Sequence, residues 1–221
     1  MSYIIQNPGI VWGLLLEHII ITGSSLLIAI AIAFPFGVLV ADKPRLATPV
    51  LGFLGILYTI PSIALMILLL PIVGLGRQAI IVTLVVYAQV ILVRNIIAGL
   101  RAVDPVILEA AHGMGMNSWQ RLWQIQLPQA LPVILAGVRI AAIVDIAIAT
   151  IGAKFGAGGL GELLFQGIAQ AGRYDKIWAG ALSVAALALI VNWSLLALER
   201  AFDTTRRIRR SERRQLAIKK G

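Results

Sequence analysis

Residues 109–128 have the sequence EAAHGMGMNSWQRLWQIQLP, a polar stretch that separates two strongly apolar parts of the chain. Elsewhere apolar residues dominate, making up 59% of the 221 residues, and only 13% of the residues are charged. The mean hydropathy is +0.92. Soluble domains carry about a quarter charged residues. The composition therefore predicts an all-α membrane protein in which residues 109–128 form a loop beside the bilayer.

Residue types that begin and end helices occur in and around this loop. Asp104 can cap the first free amide groups of a helix, and Pro105 suits the first helical position. Gly115 can take the left-handed conformation that ends a helix. Asn117 and Gln120 have the spacing of a capping box for a second helix. We therefore predict two short helices that meet at an angle and form an elbow.

The second short helix carries the large apolar side chains of the loop. We expect Trp119, Leu122, Trp123 and Ile125 to anchor it to the helix bundle or to the interfacial layer, where Trp is favoured. We expect Pro128 to close the loop. Such an elbow suits mechanical transmission, because a short rigid helix along the membrane surface can fit a cleft in a partner and move with it.

Five apolar runs are long enough to cross roughly 30 Å of hydrocarbon as helices. They lie at about residues 19–41, 48–71, 78–99, 133–152 and 177–199. Pro35 and Pro61 fall inside two of these runs, where prolines are tolerated because neighbouring helices satisfy the freed backbone groups. These prolines suggest kinks that shape a pathway.

The distribution of Lys and Arg predicts the orientation of the spans. If the C-terminus is cytoplasmic, the inside segments hold thirteen basic residues and the outside segments hold four. We therefore predict a single transmembrane domain over residues 1–221, with its N-terminus outside and with the loop 100–132 and a basic tail 200–221 in the cytoplasm. Contact with anionic membrane lipid explains this tail, so no nucleic-acid partner is expected.

The spacing of residues in the polar loop resembles a known motif. Three residues separate an EAA triplet from a glycine, nine more precede an isoleucine, and Leu-Pro follows after one further residue. This pattern matches every fixed position of the EAA loop in the permease subunits of bacterial ABC importers, whose loop is a coupling helix that inserts into the ATPase. The resemblance implies ATPase contact by Glu109, Ala110, Ala111, His112, Gly113, Met114, Gly115 and Met116, and anchoring by Trp119, Ile125, Leu127 and Pro128.

The resemblance extends over roughly residues 15–200. The segments TIPS at 59–62, VDP at 103–105, LPVI at 131–134 and GAGGLGE at 156–162 are similar to permeases for glycine betaine, choline and other osmoprotectants. Methionine-type permeases share the five-span plan and the glycine-rich stretch, so a permease for an amino acid such as methionine stays an alternative.

The resemblance implies a set of partners for a five-span permease of the type I ABC importer fold in the bacterial cytoplasmic (inner) membrane. They are two cytoplasmic ATPase subunits, a second permease copy or paralogue and an extracytoplasmic substrate-binding protein. ATP and Mg²⁺ would bind to the ATPase subunits, and no cofactor to this chain. The chain itself is expected to be non-catalytic.

The residue inventory agrees with a non-catalytic chain. No G-x-x-x-x-G-K-[ST] phosphate loop and no cysteine are present, and the two histidines, His18 and His112, lie far apart without a ligand pattern, so no metal site is expected. A secondary transporter driven by an ion gradient is the competing class. Such carriers commonly contain inverted repeats, and the two halves of this chain have none that we can recognise.

The glycine-rich stretch contains a G-x-G-x-x-G pattern at Gly156, Gly158 and Gly161, with Asp175 at about the distance of a ribose-binding acid. A dinucleotide site needs a preceding strand in a βαβ unit, which a chain of membrane helices does not provide. We expect these glycines to form a tight segment at the external mouth that leads into residues 163–171.

Polar residues inside the spans are candidates for a transport pathway. Asp145 is an acid deep in the fourth span, where a carboxylate is either functional or paired, with Arg139, Arg94 or a partner chain as candidates. Tyrosine faces can attract quaternary ammonium ions, although single tyrosines in spans more often serve packing. The possible pathway residues are Tyr58, Thr59, Ser62, Tyr87, Gln89 and Asp145, with Asn95 and Thr150 as further polar residues.

Overall fold

The computed structural model describes residues 2–202, and helices make up nearly all of this part of the chain. The first half contains the helices α1 (Ser2–Gln6), α2 (Pro8–Ala41), α3 (Pro44–Thr59), α4 (Ser62–Val73) and α5 (Arg77–Arg101). The second half contains α6 (Pro105–Gly113), α7 (Ser118–Arg121), a π-helical turn (Leu122–Gln126), α8 (Leu127–Gly152), a 3₁₀ turn (Ala153–Phe155), α9 (Gly161–Ala169) and α10 (Tyr174–Phe202). Residues 203–221, most of the predicted basic tail, lie outside the described residues.

Within residues 2–202, four helical segments are long and apolar enough to cross a membrane. They are Pro8–Ala41, Arg77–Arg101, Ser118–Phe155 and Tyr174–Phe202. These segments contain four of the five predicted spans, and each begins earlier than its apolar run does. The all-α membrane fold predicted from the composition is confirmed.

The predicted span 48–71 is not one straight helix. It is divided into α3 and α4, which meet at an angle of 92°. Pro61 causes the break, because proline disfavours helical geometry in the residue before it and cannot donate a backbone hydrogen bond. Ile60 is accordingly extended, with ψ 126°. Neither arm is long enough to cross a bilayer alone, and the two pass as a fifth candidate span only together. Pro61 kinks the chain as expected, by a larger angle than the sequence indicated.

Pro35 behaves differently from Pro61. The helix α2 continues through Pro35 and ends only at Ala41. Arg101 at the end of α5 donates a hydrogen bond of 2.8 Å from its Nε to the carbonyl oxygen of Ala41. This bond satisfies one of the last carbonyl groups of α2, which have no partner within the helix.

The centre of the bundle is formed by α2, α5 and α8. Small side chains line the contacts, and Ala29, Ala33, Ala88 and Ala141 are completely buried there. Small residues let membrane helices approach closely. Gly137 of α8 lies directly against the side chain of Asn95 of α5, where even a methyl group would overlap. On the other side of α8, α10 and α9 complete the bundle.

Candidate functional site

The elbow consists of residues 105–126 and begins with a capped helix. The carboxylate of Asp104 accepts a hydrogen bond of 2.9 Å from the backbone N–H of Val106, and Pro105 is the first residue of α6. The helix ends at Gly113, and Gly115 then adopts φ 82°. Left-handed backbone is favourable for glycine because it has no Cβ. The cap, the helix and the glycine turn were all predicted from the sequence, and all are confirmed.

The second arm of the elbow begins with a complete capping box. Asn117 accepts a hydrogen bond of 2.9 Å from the backbone N–H of Gln120. The side chain of Gln120 accepts one of the same length from the backbone N–H of Asn117. Each residue thereby satisfies an amide group that the helix leaves unpaired. The predicted start of the second short helix is therefore confirmed in its atomic detail.

Arg121 joins the two arms. Its guanidinium donates hydrogen bonds to Nδ1 of His112 at 2.9 Å, to the carbonyl oxygen of Met116 at 3.2 Å and to the hydroxyl of Ser118 at 3.2 Å. These partners lie on α6, in the turn and on the second arm, so one side chain fixes the angle between the arms. The sequence prediction missed Arg121, because nothing in the motif indicates a contact that spans nine residues across a turn. We call this set of bonds the Arg121 clamp.

The EAA triplet presents a mixed surface. Glu109 and Ala110 are exposed, whereas Ala111 is only 1% exposed because it faces the bundle. The remaining residues predicted to contact the ATPase, His112, Gly113, Met114, Gly115 and Met116, are exposed or half-buried along the outside of the turn. A cleft of about 400 Å³ lies beside them and is lined by Glu109, His112 and Arg121 together with Asp42, Leu108, Ser118 and Gln126.

Pro128 does not close the loop as predicted. The second arm runs on through the π-helical turn Leu122–Gln126 into α8, and the helical segment Ser118–Phe155 is unbroken. A proline inside a helix clashes with the carbonyl group four residues earlier. Here the preceding turn is widened, since the N–H of Leu127 bonds to the carbonyl of Leu122 five residues back. The elbow is thus rigidly continuous with a membrane helix.

The predicted anchors divide into two groups. Trp123 contacts Phe34 of α2 with ring centroids 6.3 Å apart, and Leu127 packs against the central core. Ile125 is half-buried and Pro128 is exposed. Trp119 contacts Trp123 in a tilted arrangement with ring centroids 5.4 Å apart, but it remains 68% exposed. Trp123 therefore connects the elbow to α2, whereas Trp119 leaves a large aromatic surface free at the same end of the bundle.

Asp145 is completely buried and pairs with none of the arginines considered in the sequence analysis. One carboxylate oxygen accepts a hydrogen bond of 3.2 Å from the hydroxyl of Ser25 on α2. The other oxygen has no hydrogen-bond partner in the described structure. Arg139 instead forms an ion pair of 3.2 Å with Glu199 of α10. Asp145 thus lies at the interface of α2 and α8 and not on the open surface of the bundle.

Four of the other possible pathway residues, Tyr58, Thr59, Ser62 and Tyr87, lie at the broken span. The ring centroids of Tyr58 and Tyr87 lie 5.4 Å apart, and the hydroxyl of Tyr87 donates a hydrogen bond to the carbonyl of Ile60 at the break. Thr59 donates to the carbonyl of Ile56 at 2.7 Å. Gln89 is turned inwards and donates to the carbonyl oxygens of Ala29 and Val85. Ser62 is half-buried and is the first residue of α4, two positions after Ile60.

The opposite end of the bundle carries the glycine loop, residues 156–161. Gly156, Gly158 and Gly159 have positive φ values, and the N–H of Gly159 donates a hydrogen bond of 3.0 Å to the carboxylate of Glu17. Arg77 lies 3.9 Å from the same carboxylate. The loop leads into α9 as expected. In residues 2–202 no strand precedes it, so the dinucleotide site rejected on sequence grounds is rejected on structural grounds as well.

The imidazole of His18 is buried beneath the glycine loop. Its Nε2 lies 3.3 Å from the carbonyl oxygen of Ile146, and a Cβ on Gly159 would come within 3.0 Å of its Nδ1. No group of three or more His, Cys, Asp or Glu residues suited to a metal ion occurs in the described part of the chain. The imidazole of His18 packs against Gly159 of the loop.

Comparison with known proteins identifies membrane components of transport systems, both by sequence and by fold. The family model described as "Binding-protein-dependent transport system inner membrane component" matches residues 33–204. The carnitine transport permease protein OpuCB of Listeria monocytogenes is 38% identical over 183 residues, which cover 83% of this chain and 84% of that protein. The osmoprotectant import permease protein OsmW of Salmonella typhimurium is 38% identical over 204 residues, with coverages of 90% and 94%.

Solved structures share the architecture at lower identity. The inward-facing MetNI methionine ABC transporter matches with a TM-score of 0.81 at 24% identity, over 87% of this chain and 96% of that chain. An amino acid ABC transporter matches with a TM-score of 0.70 at 19% identity, over 91% and 96%. At these identities the likeness concerns the fold. The family match and the relatives carry the assignment, and the chain belongs to the binding-protein-dependent transport system inner membrane components, the non-catalytic permease subunits of ABC transporters.

Proposed function

We propose that this chain is the permease subunit of an ATP-driven importer for osmoprotectants, namely small quaternary ammonium solutes such as glycine betaine, carnitine or choline. The transporter would contain a second permease copy or paralogue, two ATPase subunits in the cytoplasm and a substrate-binding protein on the opposite side of the membrane. ATP and Mg²⁺ would bind to the ATPase subunits alone.

One observation carries the coupling role: the elbow is an exposed, internally braced unit that is continuous with a membrane helix. The Arg121 clamp fixes the angle of its two arms, and the second arm runs into α8 without a break. A partner that moves the exposed face around Glu109 and Ala110 would therefore move α8 as well. Trp123 would transmit the same displacement to α2 through Phe34.

The names of the relatives support osmoprotectants as cargo. Besides the carnitine and osmoprotectant permeases, the Bacillus subtilis glycine betaine/carnitine/choline transport system permease protein OpuCB is 34% identical over 184 residues, 83% of this chain and 84% of that protein. The likeness to methionine transporters is limited to the fold, which gives the methionine alternative less support. The orientation of the chain across the membrane, with the elbow in the cytoplasm, is supported by the distribution of its basic residues.

A purification of the tagged chain with its associated proteins would test the coupling role. We expect an ATPase to co-purify with the wild type and to be lost, or to hydrolyse ATP without transport, in Glu109→Arg. Glu162→Arg is the matched control, because it reverses a charge near the opposite end of the bundle. Within the described residues it removes one side-chain hydrogen bond, of 3.3 Å, which the amide of Gln166 donates to Glu162. Retention of the ATPase with full transport in Glu109→Arg would contradict the proposed coupling surface.

Uptake measurements would test the energy source and the cargo. Inside-loaded ATP should support uptake of glycine betaine, carnitine or choline by the reconstituted complex when every ion gradient has been dissipated. Uptake that needs an ion gradient and ignores ATP would favour a secondary transporter. Uptake of methionine alone would replace osmoprotectants with an amino acid as the cargo.

A further inference from the structure

Arg94 is a cation inside a membrane-spanning helix. It lies seven residues before the end of α5 at Arg101, which is about 10 Å along the helix axis at 1.5 Å per residue. Its side chain is exposed, and within residues 2–202 its guanidinium has no hydrogen-bond or ion-pair partner. A charged side chain at such depth is costly and generally faces a functional site or a water-filled cavity.

The cleft beside Arg94 combines three kinds of polar group. It has a volume of about 460 Å³, and Tyr58, Arg94 and Asn95 line it together with apolar residues and Gly55. Asn95 is held in place, because its amide donates a hydrogen bond of 2.8 Å to the carbonyl of Ile91 and its Cβ packs on Gly137. The cleft therefore offers an aromatic ring, a guanidinium and a fixed amide within one small space.

Tyr58 is positioned by its neighbours. Its ring contacts the ring of Tyr87 in a tilted arrangement. The hydroxyl of Tyr87 in turn donates a hydrogen bond to the carbonyl of Ile60 at the break of the second span. Tyr58 is still 41% exposed. Gly55, three residues earlier on the same helix, has no other atoms within 4 Å of the site where a Cβ would be. The wall of the cleft next to the ring is therefore left open for a ligand.

These groups match opposite ends of one kind of molecule. A guanidinium binds a carboxylate through two parallel hydrogen bonds, and the face of a tyrosine ring attracts a quaternary ammonium ion. A purely cationic solute would be repelled by Arg94. We propose that the cleft is a transit site for a small zwitterion that bears both a carboxylate and a quaternary ammonium group, with Arg94 recognising the carboxylate. This proposal rests on the proposed function and narrows its cargo to betaine-type solutes over choline.

The test compares solutes that share the ammonium group and differ in the carboxylate. Uptake of glycine betaine, carnitine and choline would be measured at subsaturating concentration in proteoliposomes that contain the complete transporter. Arg94→Gln should lower betaine and carnitine uptake by about tenfold, the usual scale for one lost charge-assisted interaction. Choline uptake should not fall, and it should rise where the wild type carries choline, because the charge that repels this cation has been removed. Arg94→Lys should restore part of the loss.

Three further variants separate recognition from damage to the fold. Tyr58→Leu should lower uptake of all three solutes, whereas Tyr58→Phe keeps the aromatic face and should retain it. Arg77→Gln removes an arginine from the other end of α5, outside the cleft, and should leave the ratio of betaine to choline uptake unchanged. ATPase activity that remains in Arg94→Gln shows that the complex has assembled.

Each possible result either supports the proposal or overturns it. Equal loss of betaine and choline uptake in Arg94→Gln would overturn the proposal, as would a wild type that carries choline but neither betaine nor carnitine. If the wild type carries only the two zwitterions, a selective loss in Arg94→Gln but not in Arg77→Gln supports it. A wild type that carries none of the three solutes removes the proposed function itself, whereas normal betaine uptake in Arg94→Gln removes only this inference.

Discussion

The elbow and the glycine loop are both short, turn-rich segments at opposite ends of the bundle, but they are held in different ways. Within residues 2–202, the hydrogen bonds of the elbow connect residues within nine positions of each other, as in the Arg121 clamp and the capping box, and its link to α2 is the aromatic contact of Trp123 with Phe34. The glycine loop is held by Glu17, which bonds to Gly159 across 142 positions of sequence. The elbow is therefore stabilised from within, and the glycine loop is stabilised by α2.

This difference has a mechanical consequence. A segment with its own bonds can move as one rigid piece, because its shape does not depend on where its neighbours are. A loop that bonds to another helix keeps this bond only while the loop and that helix stay in the same relative position. Displacement of α2 against α8 would preserve the elbow but would break the contact of Glu17 with the glycine loop. The four variants below test this contrast in order of expected effect.

The largest effect is expected for Gly161→Ala at the end of the glycine loop. A Cβ there would overlap the backbone carbonyl of Thr150, so the helices must separate. Overpacking of this kind costs about 1–3 kcal/mol. Thermal unfolding in detergent should reveal the loss. Gly113→Ala in the elbow is the control, because no atom lies within 4 Å of its added Cβ, and an unchanged or raised melting temperature is expected. Equal melting temperatures for the two variants would contradict the contrast.

The second effect is expected for Arg121→Ala, which removes the clamp. Three hydrogen bonds are lost, two of them exposed to water, and each contributes a net of about 0.5 kcal/mol, the low end of the usual range. The bundle should stay folded, and hydrogen exchange of the elbow amides should accelerate. Under the proposed function, less solute should be transported per ATP hydrolysed. Arg121→Lys keeps the charge without the planar fork and should recover only part of this coupling ratio. Normal coupling in Arg121→Ala would show that the clamp is dispensable.

A smaller effect is expected for Asn117→Ala at the start of the second arm. The variant removes one half of the capping box, which typically costs about 1 kcal/mol. Faster amide exchange should be confined to the first turn after residue 117. Asn117→Asp can still accept the bond from the backbone N–H of Gln120 and serves as the control. Faster exchange in the glycine loop would mean that the two ends are more closely linked than the bonding indicates.

The smallest effect is expected for Glu17→Gln at the glycine loop. The amide oxygen of glutamine can still accept the hydrogen bond from Gly159, and only the ion pair with Arg77 is lost. That pair is 3.9 Å long and exposed on both sides, and exposed pairs contribute about 0–1 kcal/mol. The melting temperature should change little. Glu17→Ala should lower it further, and if the two variants were equal, the bond to Gly159 would not stabilise the loop.

Several parts of the fold could be predicted because each depends on adjacent residues. Four of the spans follow from continuous apolar sequence, and the caps at Asp104 and Asn117 follow from local hydrogen bonding. The break at Pro61 was predicted only as a kink, since the residues alone do not give the size of the bend. The helix through Pro128 was missed, because the widened π-helical turn before it compensates for the proline.

The candidate site was predictable to the same degree. The exposed Glu109 and Ala110 and the turn at Gly115 follow from the motif and its spacing, whereas the burial of Ala111 does not. Arg121 was missed, because its bond to His112 crosses the turn. Asp145 pairs with neither Arg94 nor Arg139, the candidates that the sequence offered within this chain, and accepts a hydrogen bond from Ser25. The choice among these residues depends on how the helices rotate about their axes. The proposed ATPase contacts and the orientation across the membrane stay predictions from the sequence.

The sequence by itself determined the membrane class, the elbow and the family, because apolar runs, caps and motif spacing are local properties of a chain. The tertiary structure alone decided three things: the right-angled break of the second span, the attachment of the glycine loop to Glu17, and the grouping of Tyr58 with Arg94 in one cleft. Pro61 places the break, but the size of its angle, like the other two features, depends on contacts between helices that are distant in sequence. Such contacts are set by packing and burial, which no local pattern encodes.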